Sequence, residues 1–88
     1  MQKFRKKPVE IEAWRIGSMT AQPDWLHEAH NRGILFGNGD DYFEIVTLEG
    51  KMRGNRGDWI IRGVKGELYP CKPDIFDMTY EVIGNEQA

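Results

Sequence analysis

The length, composition and charge of this chain exclude several classes of protein. Its 88 residues are enough for one domain and too few for two, and the 40% apolar and 11% aromatic content is that of a folded domain, not of a disordered chain. No stretch approaches the roughly 20 apolar residues that span a bilayer, and the net charge of −2 argues against general nucleic-acid binding, which needs a basic surface.

The first predicted element is a strand over residues 8–16. Val9, Ile11 and Ala13 share one face at period two, whereas Trp14 and Ile16 follow the opposite phase. We therefore expect a bulge near Ala13 and Trp14, because an extra residue there would turn both apolar sets inward.

Four bases precede this strand: Lys3, Arg5, Lys6 and Lys7. Residues 1–15 hold five bases and two acids, whereas the remainder holds seven bases and twelve acids. One interpretation is a solvated edge that prevents the first strand from pairing with other chains. The alternative is a basic arm that binds a partner.

Residues 23–32 form the one predicted helix of good quality. Pro23 suits the first helical position and Gly33 suits the end, since glycine readily takes a positive φ. The helix is short, so we expect Trp25 and Leu26 to hold it against a sheet.

The second half of the chain is predicted to be a series of hairpins. Strands are expected at 34–36, 42–48, 51–53, 59–62 and 67–71, followed by a helical turn or two within 74–80 and a last strand at 80–83. Residues 1–83 then form a single globular domain, and residues 84–88 a polar tail. The predicted class is α+β and β-rich: a small curled antiparallel sheet or an SH3-like barrel with one covering helix.

Several segments of the second half carry a recognisable motif. They are residues 57–61 (GDWII), 63–67 (GVKGE), 69–76 (YPCKPDIF) and 79–81 (TYE), and the opening segment 3–9 (KFRKKPV) belongs with them. In these segments the chain resembles small uncharacterised proteins of tailed bacteriophages and prophages. The resemblance implies a phage accessory protein made in the bacterial cytoplasm, and it implies no activity. That group often has proline before the Gly-Asp-aromatic step, where this chain has Arg56.

No residue set predicts a catalytic, metal or cofactor site. His27 and His30 are three residues apart on the helix, one residue short of the zinc-protease spacing, and Cys71 is the only cysteine. That single cysteine excludes an intramolecular disulfide and, with no secretory-signal pattern, predicts a reducing compartment. Residues 56–58 (RGD) are interpreted as a turn that Asp58 caps.

Bases alternate with aromatic residues along the last hairpins. The candidate ligand-binding residues are Arg53, Arg56, Trp59, Arg62, Tyr69 and Lys72. If Arg53, Trp59 and Arg62 share a face, they can stack a base and hold a phosphate. The alternative is that Trp59 and Tyr69 are core residues and the bases are the outward half of amphipathic strands.

The leading hypothesis is a non-catalytic phage accessory protein that acts on a host protein or sequesters a small nucleotide-like ligand, without a cofactor. A ligand site would then span a homo-oligomer interface, because so small a core has little room for a pocket. The alternative is a structural or assembly component of the phage particle that pairs through edge strands. A small enzyme using the histidines and Cys71 is the third hypothesis.

Overall fold

A computed structural model describes residues 2–3, 9–37 and 41–83 of the chain. Within these residues, strands and helices follow one another in the order β1 (Glu12–Arg15), α1 (Asp24–Asn31), β2 (Leu35–Gly37), β3 (Tyr42–Thr47), β4 (Gly50–Asn55), β5 (Trp59–Arg62), β6 (Leu68–Cys71) and α2 (Pro73–Thr79). The predicted tail at 84–88 lies outside the described residues. No helix of the described part is long and apolar enough to cross a membrane.

The strands form two antiparallel sheets of three strands each. Sheet A has the order β1-β5-β6, and sheet B has the order β2-β3-β4. The predicted β-rich α+β class with small antiparallel sheets is confirmed. The SH3-like barrel is wrong, because the described strands form two separate sheets that do not close. The predicted helical turn or two within 74–80 is confirmed as α2, so the fold has two helices instead of the one covering helix expected. The predicted last strand is wrong, because residues 80–83 are not a strand.

The core lies between the inner faces of the two sheets and α1. Its buried members are Trp14, Ile16, Leu26, Ala29, Leu35, Phe43, Ile45, Ile60 and Leu68. Leu26 is fully buried and Trp25 packs against the cluster, which confirms the predicted anchors of the helix. Gly33 ends the helix with a φ of +77°, as predicted.

The predicted bulge in β1 is absent. The register from Glu12 opposite Arg62 to Arg15 opposite Trp59 is unbroken. β1 is shorter than the predicted strand, since Val9 and Ile11 of the first apolar phase precede it and Val9 is 48% exposed. Within β1 no bulge is needed, because both faces of sheet A are buried beside it. Trp14 faces the main core, and the neighbouring Ala13 lies beside Ile61, which is fully buried on the opposite face.

The two sheets approach each other closely at Gly54 of β4. A Cβ at this position would lie 2.9 Å from Cδ1 of Ile16 and 3.3 Å from Cβ of Pro70. Gly54 also pairs with Phe43 at the centre of sheet B. Glycine is therefore required here because sheet A occupies the volume that any side chain would need.

Candidate functional site

The six predicted ligand-binding residues do not lie on one surface. Trp59 and Arg62 are three residues apart on β5, and since side chains alternate along a strand they point to opposite faces of sheet A. Arg53 lies on the other sheet. The condition that Arg53, Trp59 and Arg62 share a face is therefore not met.

Trp59 and Tyr69 lie beneath α2, on the outer face of sheet A. The ring of Phe76 stacks on that of Trp59, with centroids 4.2 Å apart and planes within 10°. The hydroxyls of Tyr69 and Tyr80 are 3.4 Å apart. Burial first, and then the hydrogen bond with Tyr80, raises the pKa of Tyr69 above its ordinary value. These contacts support the alternative interpretation, in which Trp59 and Tyr69 are packing residues.

Arg56 lies in the turn that joins β4 to β5, and Lys72, between β6 and α2, contacts this turn through Asp58. The carboxylate of Asp58 is 5% exposed, and its Oδ2 accepts hydrogen bonds from the Asn55 N–H at 2.9 Å and from Nζ of Lys72 at 3.3 Å. The side chain of Arg56 packs over Gly17, since a Cβ added to Gly17 would lie 2.8 Å from Cγ of Arg56. Residues 56–58 are therefore the predicted turn, capped by Asp58.

A cleft of about 680 Å³ opens between α1, the β3–β4 hairpin and the β5–β6 hairpin. Its apolar lining residues are Trp25, Ile34, Val46, Leu48, Met52 and Leu68. Leu48 is fully exposed in the two-residue loop of the β3–β4 hairpin, a position where polar residues are usual. The volume falls within the range of pockets that hold small ligands.

Three bases from separate elements line the same cleft. Arg32 comes from the end of α1, Arg62 from β5, and Lys65 from the loop after β5. Nη1 of Arg62 lies 3.1 Å from Oε1 of Glu12, so the two partly exposed side chains form an ion pair between β5 and β1. Of the six predicted ligand-binding residues, Arg62 and Tyr69 line this cleft.

Acidic side chains are also present in the cleft, which limits its positive potential. They are Glu28, Glu49 and Glu67. The Glu67 carboxylate is engaged in its own hairpin loop, since Oε1 accepts the Lys65 N–H at 3.0 Å. The cleft thus combines an indole, an apolar surface and mixed charges. This combination suits a ligand with a flat apolar part and a small anionic group.

The histidines and the cysteine do not form a catalytic or metal centre. His27 is exposed, whereas His30 packs against Phe43 with ring centroids 5.7 Å apart. No group of three or more potential metal ligands lies together among the described residues. Burial, and then the carboxylates of Asp58 and Asp74, raises the pKa of the Cys71 thiol. A raised pKa disfavours the thiolate that nucleophilic chemistry requires.

The predicted basic arm lies almost entirely outside the described residues. Lys3 is described and exposed. Arg5, Lys6 and Lys7 lie outside, so their assignment as partner-binding residues stays a prediction.

Sequence reasoning missed the cleft because its lining comes from elements distant in the sequence. In the sequence, Arg32 is a basic residue near the end of a helix and Met52 is an ordinary strand residue. Only the packing of the two sheets brings them to the same cleft. One available signal was Leu48, a large apolar residue in a tight hairpin loop beside Glu49.

Searches against protein-family models, curated proteins and solved structures found no match to this chain. Any functional conclusion therefore depends on the geometry of its surfaces.

Proposed function

We propose that this chain is a non-catalytic binding protein that holds a small nucleotide-like ligand in the cleft between its sheets. The observation that carries the proposal is the cleft itself: about 680 Å³, lined by the indole of Trp25 and by bases from three elements. An indole stacks on a flat base, and guanidinium groups bind phosphate through paired hydrogen bonds. The resemblance of the sequence to small bacteriophage proteins extends the proposal to a phage accessory role in the bacterial cytoplasm.

Arg62 is the residue proposed to bind the anionic group. It lines the cleft from the end of β5, the central strand of sheet A, and its pairing with Glu12 across β1 and β5 restricts the position of the guanidinium. Because both partners are more than 40% exposed, that ion pair contributes little to stability, roughly 0–1 kcal/mol. An Arg62→Gln variant should therefore fold, and any loss of binding then reports on the ligand.

The direct test is a thermal-shift screen of the purified chain with nucleoside mono-, di- and triphosphates, followed by calorimetry. A ligand present at 100 times its Kd stabilises the folded state by about 2.7 kcal/mol, which corresponds to roughly 10–20 °C for a domain of this size. We expect Arg62→Gln to weaken binding about 10-fold or more, since hydrogen bonds to charged groups contribute about 1.5–3 kcal/mol.

Lys72→Gln is the matched control, because Lys72 is an exposed basic residue that lies outside the cleft. It should leave the nucleotide affinity unchanged. Equal losses in the two variants, or no binding of any nucleotide at millimolar concentration, would exclude the cleft proposal. Mass spectrometry of extract released by heat from protein purified out of phage-infected cells would identify the natural ligand.

The expected homo-oligomer follows from the open shape of the cleft, which a second copy would close. Light scattering during size-exclusion chromatography tests it, and a monomer that binds ligand would show that the cleft suffices alone. If a host protein occupies the cleft instead, the wild-type chain should capture that protein, and added nucleotides should not displace it.

The alternative role in phage-particle assembly is favoured by one observation. In the described part of the chain, β3 is the one strand that pairs with β4, so no strand covers the other edge of β4. Proteomics of purified virions should find the protein in stoichiometric amounts if it is an assembly component. Absence from the particle excludes this role and leaves the binding proposal.

A further inference from the structure

The outer face of sheet B, the side turned away from the core, is a second surface of distinct composition. Phe43 and Ile45 of β3 are buried in the core, so the alternating residues of β3 face outward. Register then places neighbours from β2 and β4 beside them. The face comprises Phe36, Tyr42, Glu44, Val46, Lys51 and Arg53. No described helix or strand packs on it.

Two aromatic rings are presented on this face. Phe36 is 46% exposed and Tyr42 is 38% exposed, although aromatic residues usually bury most of their surface. Phe36 lies opposite Glu44, and Tyr42 is two residues from Glu44 on the same strand face. The two rings are therefore diagonal neighbours, whose backbones are about 7–8 Å apart.

The basic side chains of the face, those of Lys51 and Arg53, form a row along the edge strand β4. The Arg53 guanidinium carbon lies 3.9 Å from the Tyr42 ring centroid, and its Nε donates to Oδ1 of Asn55 at 2.9 Å. These two contacts fix the plane of the guanidinium. Among the described residues, its terminal nitrogens have no hydrogen-bond partner. Nζ of Lys51 lies 5.6 Å from the Phe36 ring centroid and 3.9 Å from Oε1 of Glu44.

We propose that the outer face of sheet B binds single-stranded nucleic acid. Exposed bases would stack on the Phe36 ring and on the Arg53 guanidinium, whose other face is supported by Tyr42. The phosphates would follow β4, where Lys51 and Arg53 donate to them. Of the residues of this face, Val46 also lines the cleft, whereas Phe36, Tyr42, Lys51 and Arg53 do not. The binding proposed here depends on those four residues, so it stands independently of the proposed nucleotide site.

The charge of the face sets the binding mode. Glu44 lies between the basic side chains of Lys51 and Arg53, and Asp41 precedes β3, so the local positive charge is small. Stacking must then supply most of the affinity, and only about two phosphates are engaged. Duplex DNA is disfavoured because its bases are not available for stacking. The low basicity that argues against general nucleic-acid binding is thus compatible with this mode.

A second copy of the chain fits this face less well. Face-to-face dimerisation would bury Glu44, Lys51 and Arg53 together with only three half-exposed apolar side chains. Desolvating those charges is costly, and homodimer interfaces are typically large and depleted of charge at their centre.

The test is fluorescence anisotropy with 5′-labelled dT12 and rU12 and with a 12-base-pair duplex as the comparison. We expect single strands to bind more tightly than the duplex. The logarithm of the association constant should fall with the logarithm of salt concentration with a slope of about −1.4, given about −0.7 for each phosphate of a single strand. Phe36→Leu, which keeps an apolar residue but removes the flat ring, should weaken binding about 5- to 100-fold.

Arg53→Gln should weaken binding and reduce the steepness of the salt slope by about 0.7. Lys72→Gln removes an exposed basic side chain outside both the face and the cleft, so it is the matched control and should bind dT12 like the wild-type chain. Circular dichroism checks that each variant is folded. The proposal is overturned if single strands do not bind, if Phe36→Leu binds normally, or if Lys72→Gln weakens binding equally. A dimer that Phe36→Leu dissociates would assign this face to a second copy instead.

Discussion

The buried carboxylate of Asp58 gives the sharpest test of how the turn between β4 and β5 is stabilised. Its Oδ2 accepts a hydrogen bond from the Asn55 N–H and forms an ion pair with Lys72. The Asp58 side chain is 8% exposed, whereas the Lys72 side chain is 63% exposed, so water screens the ion pair from the lysine side. We therefore expect the hydrogen bond, and not the ion pair, to carry most of the stabilisation.

The magnitudes follow from these environments. Asp58→Ala removes a hydrogen bond to a charged acceptor and leaves the Asn55 N–H without its partner, which costs about 1.5–3 kcal/mol. Lys72→Met removes only a solvent-screened partner and costs roughly 0–1 kcal/mol. For a domain of this size each kcal/mol shifts Tm by about 4–8 °C. We expect a loss of roughly 6–24 °C for Asp58→Ala and of at most about 8 °C for Lys72→Met.

Urea unfolding monitored by tryptophan fluorescence measures both variants and the double variant. Two backbone hydrogen bonds of Asp58 remain in every variant. Its N–H donates to the Asn55 carbonyl, and its carbonyl accepts from the Ile16 N–H. Asp58→Asn should be intermediate, because its amide oxygen can still accept from Asn55. If Lys72→Met costs as much as Asp58→Ala, the ion pair is dominant and the argument from exposure is incorrect.

Three further predictions concern packing and pH. Phe76→Leu removes the stacked pair with Trp59, which contributes about 0.5–1.5 kcal/mol beyond burial, so hydrogen exchange in α2 should accelerate while sheet B stays protected. Burial raises the pKa of Tyr69, so above pH about 10 the unfolded state loses the hydroxyl proton while the folded state keeps it. The free energy of unfolding therefore falls as the pH rises above about 10. Urea unfolding at pH 9 and pH 11 should show a smaller fall in this free energy for Tyr69→Phe than for the wild-type chain. Gly54→Ala places a methyl group 2.9 Å from Ile16 and should cost about 1–3 kcal/mol by thermal denaturation. An unchanged Tm would show that the sheets can separate without penalty.

The local elements of this protein were largely predictable from the sequence. Alternation and glycine turns located the strands of the second half, and the Pro23 start and the Gly33 end located α1 to within one residue. These signals are local, since a turn or a helix end depends on the residues within a few positions of it. The predicted turn at 56–58 is confirmed for the same reason.

The surfaces were not predictable, because they depend on which strand pairs with which. β1 pairs with β5 across more than 40 residues, and this long-range pairing separates the strands into two sheets instead of a barrel. The missed bulge has the same origin: the sequence shows two apolar phases in β1, but only the tertiary structure shows that both faces are covered. The position of Arg62 in the cleft and of Arg53 beside Tyr42 follows from that arrangement.

The sequence by itself determined the class of the protein, the positions of its turns and the outward or inward alternation along each strand, because these follow from residues near one another in the chain. Only the tertiary structure decided which alternating faces meet. It divided the bases and aromatic residues of the second half between a cleft, a packed helix and an open sheet face, because side-chain direction acquires a partner only when distant strands pack together.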